Sequence, residues 1–432
     1  MDLENLIKNK RAKVVVIGLG YVGLPTAVEL AKVGFEVFGI DIKKERVDLV
    51  NKGKSYILDV PSKDLKEAVN SKKLLAFNTH QPLKNSDIVL ICVPTPLDKN
   101  KIPDISYIKS TTEEIAKHLQ EGQLIILESS TYPGTTREII LPNLQKTGLK
   151  VGKDFFLAYS PERLDPGNKE YKLKDVSRVV GGITKKCTHL ATEFYRSFIK
   201  AQVIPLSSPE AAEMTKILEN TFRLVNISMI NELALLCGKM GIDIWEVIEA
   251  AKTKPYGFYP FYPSPKVAGH CIPLDPFYLS YKAKEYNFWT RFIELAGEIN
   301  EQMPHFVVTK VIWALNLKKK PVKESKILVW GVAYKKDITD ARESAAYDII
   351  RDLKRKGAKV DYFDPFVKEF NVDNKTLKSI KYSLPKLKKY DLVLILTDHS
   401  GFNYEQLARK ANLIVDTRNA IKSRKHKNVS WF

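Results

Sequence analysis

The chain has 432 residues, 44% of them apolar and 28% charged, more than the single core that about 100 to 200 residues support. No apolar run reaches the roughly 20 residues needed to span a bilayer, and residues 1–11 lack the apolar stretch of a secretion signal, so a cytoplasmic protein with no membrane partner is expected. Lys and Arg number 69 against 50 Asp and Glu, a net charge of +19; these lysines are dispersed and accompany no nucleic-acid motif, so the excess reads as a solvated surface suited to small anions.

The first predicted element is a strand over residues 13–17, followed by Gly18-Leu19-Gly20-Tyr21-Val22-Gly23 and a helix over 24–33. Here Gly18 permits a tight turn, Gly20 lets a pyrophosphate approach the backbone, and Gly23 lets helix and strand pack closely. The helix N-terminus then faces the phosphates. A second strand, 36–40, ends at Asp41, at the distance expected of an acid that accepts a hydrogen bond from a ribose 2′-hydroxyl, which favours NAD over NADP. Arg46 and the lysines at 43 and 44 lie close by and are candidates for a 2′-phosphate or for the adenosine. Further strands are predicted at 88–93, 124–127, 155–159 and 203–205, alternating with helical stretches, the sign of a doubly wound parallel sheet. In such sheets ligands lie beyond the carboxyl ends of the strands. Segments starting at Val93, Ser129 and Ser160 begin there, which makes Thr95, Thr131, Glu162 and Arg163 candidates for one cleft.

Residues 209–237 keep helical periodicity through Met214, Ile217, Leu218, Phe222, Val225, Ile230, Leu233 and Leu236, without Gly or Pro after the first position. A second helical region, 291–317, is interrupted only by Gly297 and Pro304. The Met and aromatic positions of both are expected in the core, and the long helix is the expected interface of a homodimer or larger homo-oligomer. Beyond a lysine-rich linker, strands at 326–331, 359–363, 392–396 and 413–415 form another alternating unit. The fold class is therefore α/β, with two Rossmann-like doubly wound domains joined by a central helical domain that contains a long helix. The boundaries are 1–206, 207–317 and 318–432.

The four cysteines, Cys92, Cys187, Cys237 and Cys271, have no metal-ligand or disulfide spacing, and no metal is expected. Cys92 and Cys237 end apolar stretches and read as small buried hydrophobes. Cys271 differs, because it lies in Val267-Ala268-Gly269-His270-Cys271-Ile272-Pro273-Leu274-Asp275-Pro276, where packing alone gives no reason for a thiol. A thiolate beside a hydride acceptor could add to an aldehyde and, after a second oxidation, leave a thioester for water to open. His270, Asp275 or a lysine of the long helix could activate it. Lys216 and Asn220, four residues apart, share a helix face and could meet one substrate oxygen.

The set formed by the glycine loop, Thr131-Tyr132-Pro133-Gly134, Ser160-Pro161-Glu162-Arg163, Lys216 with Asn220, the Gly269 to Asp275 segment and Lys335 through Ser344 resembles the UDP-glucose/UDP-N-acetylmannosamine dehydrogenase family over nearly the whole chain. The resemblance implies a four-electron oxidation of a UDP-sugar 6-hydroxymethyl group, with two NAD and a thioester on Cys271. By the same resemblance Lys216 polarises or deprotonates the sugar oxygen and Asn220 completes the oxyanion site. Asp275 and Thr131 position water, Glu162 serves binding or thioester hydrolysis, and Lys335 and Arg342 hold UDP, across a dimer interface if there is one. Tyr262, Ser264, Lys266 and Gly269 are added substrate contacts, Lys266 for the diphosphate. The alternative for Glu162 is a loop salt bridge with Arg163.

The stretch Arg163-Leu164-Asp165-Pro166-Gly167-Asn168 is similar to the branch acting on UDP-N-acetylhexosamines, with UDP-N-acetylglucosamine preferred and UDP-N-acetylmannosamine, UDP-N-acetylgalactosamine or UDP-glucose as alternatives. The implied setting is synthesis of surface polysaccharide precursors. Ser264, Lys266 and Ala268 replace glycines common in the family, which bears on sugar specificity. Two other classes stand against this reading: a two-electron NAD-dependent dehydrogenase in which Cys271 only packs, and a non-catalytic nucleotide-sugar-binding protein.

Overall fold

The computed structural model describes residues 2–57, 59–98, 100–165, 167–168, 170–269 and 271–432. The chain divides into two compact units, one made of Met1–Glu219 with Phe277–Trp289 and the other of Asn220–Pro276 with Thr290–Phe432.

The first unit is built on strands β1 (Lys13–Ile17), β2 (Glu36–Ile40), β3 (Leu74–Phe77), β4 (Ile88–Ile91), β5 (Leu124–Leu127), β6 (Phe156–Tyr159), β7 (Arg178–Gly182) and β8 (Val203–Leu206), in the order β3-β2-β1-β4-β5-β6-β7-β8. Both faces of this sheet are covered, which is why its strands are continuous apolar runs. Side chains alternate across a strand: Val14 and Val16 enter one core with Leu24, Leu30 and Phe194, while Val15 and Ile17 enter another with Ile108, Ile140 and Leu144. The pairings are parallel with one exception among the described residues, β6 against β7, whose register aligns Ala158 with Gly182 and Tyr159 with Gly181. β3 and β7 escape the sequence reading. The second carries two glycines because an added Cβ would meet Ser208 O at 2.0 Å from Gly181 and Thr188 N at 2.3 Å from Gly182.

In the second unit β9 (Lys326–Trp330), β10 (Lys359–Phe363), β13 (Leu392–Ile395), β14 (Ile414–Asp416) and β15 (Val429–Trp431) form a parallel sheet in the order β10-β9-β13-β14-β15, and β11 (Glu369–Val372) pairs with β12 (Lys375–Lys378) as a hairpin. Here too the strands feed two cores, Ile327 and Val329 on one side and Leu328 and Trp330 on the other. Neither β15 nor the hairpin is evident in the sequence pattern.

The long helix runs Pro209–Met240. It stops at Gly241, whose φ of +72° suits glycine, while Ile242 N–H donates to Cys237 O at 2.9 Å and satisfies an end carbonyl. The second helical region is one continuous helix, Arg291–Asn316, that passes through Gly297 and Pro304. The expectation that its Met and aromatic positions, and those of the long helix, are core needs correction. Met214, Phe222, Met229, Phe292 and Trp313 are exposed in the single chain, as are Leu218, Leu233 and Leu236, while Met303 is buried as expected; the buried stripe of the long helix is carried by Ile217, Leu224, Ile230 and Ala234. Cys237 is likewise only half-buried.

Trp330 is 1% exposed and meets Phe363, Phe402, Tyr382 and Tyr404 with ring centroids 4.6 to 6.1 Å apart. Trp330→Ala should cost about 3–5 kcal/mol of second-unit stability, read as a lower guanidinium midpoint; an unchanged midpoint would contradict this packing account.

Candidate active site

In the first unit the glycine loop is held by close approach. Gly18 has φ +93°, its N–H donates to Ile40 O at 2.7 Å, and an added Cβ would meet Cys92 O at 2.4 Å; a Cβ on Gly23 would meet Gly18 O at 1.9 Å. A Cβ on Gly20 would meet nothing within 4 Å, so open space lies over the middle of the loop. Asp41, buried at the end of β2, accepts from Leu19 N–H (3.0 Å), Lys43 N–H (2.8 Å) and Arg46 Nη1 (3.1 Å). Tyr56 Oη–H donates to Leu19 O at 2.6 Å and lies against Arg46. Tyr21 is partly exposed beside this loop and Val22 is half-buried.

The segments after β4, β5 and β6 emerge side by side, because these strands are neighbours in the sheet. Thr95 Oγ1 donates to Ser130 O (2.7 Å), Tyr278 Oη–H donates to Thr95 O, and Thr131 Oγ1 lies 2.6 Å from Thr135 Oγ1. Lys216, buried on the long helix, donates from Nζ to Glu162 O at 2.7 Å. The Glu162–Arg163 salt bridge does not form, since each side chain has a nearer partner elsewhere. Glu162 Oε2 accepts from Arg178 Nη2, and its Oε1 from the N–H groups of Arg163 (2.7 Å) and Leu164 (2.6 Å). The Arg163 guanidinium instead grips Glu219 and donates to Ser177 O at 2.8 Å.

In the second unit Cys271 is exposed and opens a turn in which Leu274 N–H and Asp275 N–H donate to Cys271 O at 3.2 and 2.8 Å. Asp275, buried, accepts from Asn220 Nδ2 at 2.6 Å, so the amide that follows Lys216 by one helical turn fixes this carboxylate. His270 lies outside the described residues. The preceding segment is pinned from two helices: Ser264 N–H donates to Asn231 Oδ1 (2.8 Å), and Val267 N–H donates to Asn300 Oδ1 (2.6 Å). Gly269, at φ +91°, passes close to the Tyr334 ring. Lys266 already holds Glu301 (2.9 Å) and Asp348 (3.0 Å); burial works against its charge, but these two carboxylates outweigh it and raise its pKa. Tyr262 donates to Glu249 at 2.8 Å and stacks on Trp245. The Arg342 guanidinium is partly exposed and forks onto Asp340 (2.7 to 3.2 Å), on the rim of a cleft of about 710 Å³ that also includes Lys266, Tyr347 and Phe370. The segment bearing Lys335 is held by Asp364, which accepts from Val332 N–H (2.8 Å) and Ala333 N–H (3.0 Å), and by His399, whose Nδ1 accepts from Asp337 N–H at 3.0 Å. His399 Nε2 lies 3.0 Å from Asp364, so the imidazole proton sits there; burial raises the Asp364 carboxyl, and His399 with the two N–H groups brings it below its ordinary value.

Residues 12–199 match the UDP-glucose/GDP-mannose dehydrogenase family, NAD binding domain, residues 210–302 its central domain, and residues 328–423 its UDP binding domain. The chain belongs to the UDP-glucose/GDP-mannose dehydrogenase family. It is 36% identical to a UDP-N-acetyl-D-glucosamine 6-dehydrogenase of Pseudomonas aeruginosa, over 95% of this chain and 97% of the relative. It is 38% identical to a UDP-N-acetyl-D-mannosamine dehydrogenase of Pyrococcus horikoshii, over 95% and 96%. A solved UDP-D-ManNAc dehydrogenase from Pyrococcus horikoshii superposes with a TM-score of 0.88 at 34% identity, covering 97% of this chain and 98% of that one. As a member of this family the protein is an NAD-dependent UDP-sugar dehydrogenase. Its first unit fits NAD: the room over Gly20, the forced glycines at 18 and 23 and the acid at the end of β2 are what a dinucleotide requires. Bound NAD supplies the hydride acceptor.

Several of the groups that hold this site have no signature in the sequence. The clearest is Glu213, fully buried on the long helix one turn before Lys216. Its carboxylate accepts from Gly134 N–H (2.6 Å), Thr136 N–H (2.9 Å) and Thr136 Oγ1–H (2.7 Å), tying down the segment that contains Thr131. Burial pushes this carboxyl from 4.5 up to about 7 against those bonds. The folded state therefore keeps a proton that the unfolded chain has lost, and stability falls as pH rises through that window, by on the order of 3 kcal/mol. The melting temperature of the native protein relative to Glu213→Gln should be higher at about pH 5 than at about pH 8; the same difference at both would refute the assignment.

Proposed function

We propose that this dehydrogenase oxidises the 6-hydroxymethyl group of UDP-N-acetylglucosamine to a carboxylate, removing four electrons per sugar through a thioester on Cys271. The observation that carries the reading is the placement of Cys271: an exposed thiol opens a turn whose next carboxylate, Asp275, is buried and fixed by Asn220. A cysteine that only packed would be buried like Cys187. In this reading residues 1–206 hold NAD, 207–317 carry the central chemistry and 318–432 hold UDP through Lys335 and Arg342.

Lys216, a buried ammonium, stabilises negative charge on the sugar oxygen, a preorganised electrostatic role. Cys271 Sγ adds to the aldehyde carbon to give a thiohemiacetal, and its oxidation leaves the thioester. Asp275 and Thr131 position the water that opens it, Glu162 serves binding or thioester hydrolysis, and the thiol returns as the carboxylate leaves. The cofactor contacts are Gly18, Gly20, Tyr21, Val22, Gly23, Asp41, Arg46, Thr95 and Thr131. The further substrate contacts of this reading are Tyr262, Ser264, Lys266, Gly269 and Arg163. A second reading, UDP-N-acetylmannosamine as substrate, is favoured by the relatives from Pyrococcus horikoshii.

With excess NAD and limiting UDP-N-acetylglucosamine, two NADH per sugar and a uronic acid product are expected, and Cys271→Ser should yield no uronic acid. One NADH per sugar would leave a two-electron enzyme. Turnover confined to UDP-N-acetylmannosamine would establish the second reading.

We also propose that the enzyme is cytoplasmic, a homodimer or larger homo-oligomer, and serves surface polysaccharide precursor synthesis. The exposed apolar positions Leu233, Leu236, Phe292, Leu295, Trp313 and Leu317, all on the two long helices or directly after them, support self-association. Light scattering should give at least twice the chain mass, and Leu236→Glu should move it toward the monomer; a monomeric native protein would overturn the assignment.

A further inference from the structure

Among the described residues, the most deeply buried cation of the first unit is one that the reaction does not use. Arg178 opens β7 with its side chain 1% exposed. Its Nη2 donates to Glu162 Oε2 and its Nη1 donates to Pro161 O at 2.9 Å. On its other side Glu128 Oε1 lies 3.9 Å away and accepts from Tyr195 Oη–H at 2.6 Å, and the guanidinium packs over the Tyr195 ring. The contact with Glu162 follows from topology. Continuing the antiparallel register of Ala158 with Gly182 and Tyr159 with Gly181 brings residue 162 opposite residue 178. In a wholly parallel sheet the start of β7 would lie at the far edge, away from the carboxyl ends of β4, β5 and β6. Reversal at this one join delivers an arginine to the edge where ligands bind.

We infer that Arg178 is a positioning residue: it clamps the Pro161–Glu162 turn and through that turn places both the Glu162 carboxylate and the carbonyl on which the Lys216 ammonium rests. One side chain holds two successive residues of the turn, and Glu162 O in turn accepts from Lys216 Nζ at 2.7 Å. Glu162 is its primary counter-charge. Glu128 is completely buried and desolvation raises its carboxyl pKa, so it is suited to act as a hydrogen-bonding neighbour of Tyr195 and Cys92. The inference rests on the proposed roles of Glu162 and Lys216.

The test is a cycle of Arg178→Gln, Glu162→Gln and the double variant, with Lys216→Ala as reference, measuring kcat, both KM values and, separately, NAD affinity by equilibrium titration. Arg178→Gln should lower kcat by about 100-fold, the effect of a small misplacement of reacting groups, with NAD affinity unchanged. Because the two residues act as one unit, the double variant should fall no more than about 3-fold below Glu162→Gln alone. The double variant also removes both members of the buried pair, so it remains measurable if the single variant leaves an uncompensated charge and fails to fold. Losses that multiply across the cycle, or a weakened NAD affinity in step with kcat, would overturn the inference, as would an unchanged kcat in Arg178→Gln. Glu162→Gln and Lys216→Ala that both retain native kcat would instead overturn the roles on which it stands.

Discussion

A guanidinium sealed from water has to be neutralised where it lies, and the first unit is arranged around that demand. Stripping an ion of its hydration costs several kcal/mol even after the surroundings relax, so Arg178 is tolerable only with carboxylates already in place. Glu162 and Glu128 come from the ends of neighbouring strands, and each is fixed by other groups, the first by backbone N–H and the second by Tyr195. The reversed strand β7, its two glycines pressed against Ser208 and Thr188, and the turn after β6 all serve one electrostatic constraint.

The same economy recurs wherever a loop carries a candidate functional group. A loop leaves backbone N–H groups without ladder partners, and in a dry interior each needs an acceptor. Glu213 supplies it for the Thr131 segment, Asn231 and Asn300 for the approach to Cys271, and Asp364 for the segment with Lys335. In each case the acceptor stands on a helix or at a strand end, so the loop inherits the precision of the scaffold. By composition alone these residues would be placed in solvent, yet they are among the most buried polar groups of the described residues.

What was legible in the sequence follows from how local each signal is. The glycine loop, with its strand, helix and terminal acid, is contiguous, and steric limits on glycine fix its geometry, so it could be read directly. The helical period of residues 209–237 was equally plain, though not which apolar positions face inward: Ile217 is buried while Leu218 and Phe222 are exposed. Strand β7 was hidden because two of its five residues are glycines that serve close packing, and β3 because it follows lysines at the end of a helix. The cluster of Cys92, Glu128, Glu162, Arg178 and Tyr195 joins residues tens of positions apart, and no spacing rule anticipates it. For the same reason the alternative reading of Glu162 names Arg163, its chain neighbour, where the sheet register delivers Arg178.

The uneven burial of the four thiols has a practical consequence. Cys92 and Cys187 are sealed in the core, Cys237 is half-covered at a helix end, and Cys271 stands in the open. Burial and the neighbouring Glu128 carboxylate drive the Cys92 thiol well above its ordinary range, leaving almost none of it as the reactive thiolate. A bulky electrophile thus meets a chain that behaves nearly as if it had a single sulfhydryl. A spin label or mass tag can be addressed to the turn before Asp275 with every native cysteine left in place.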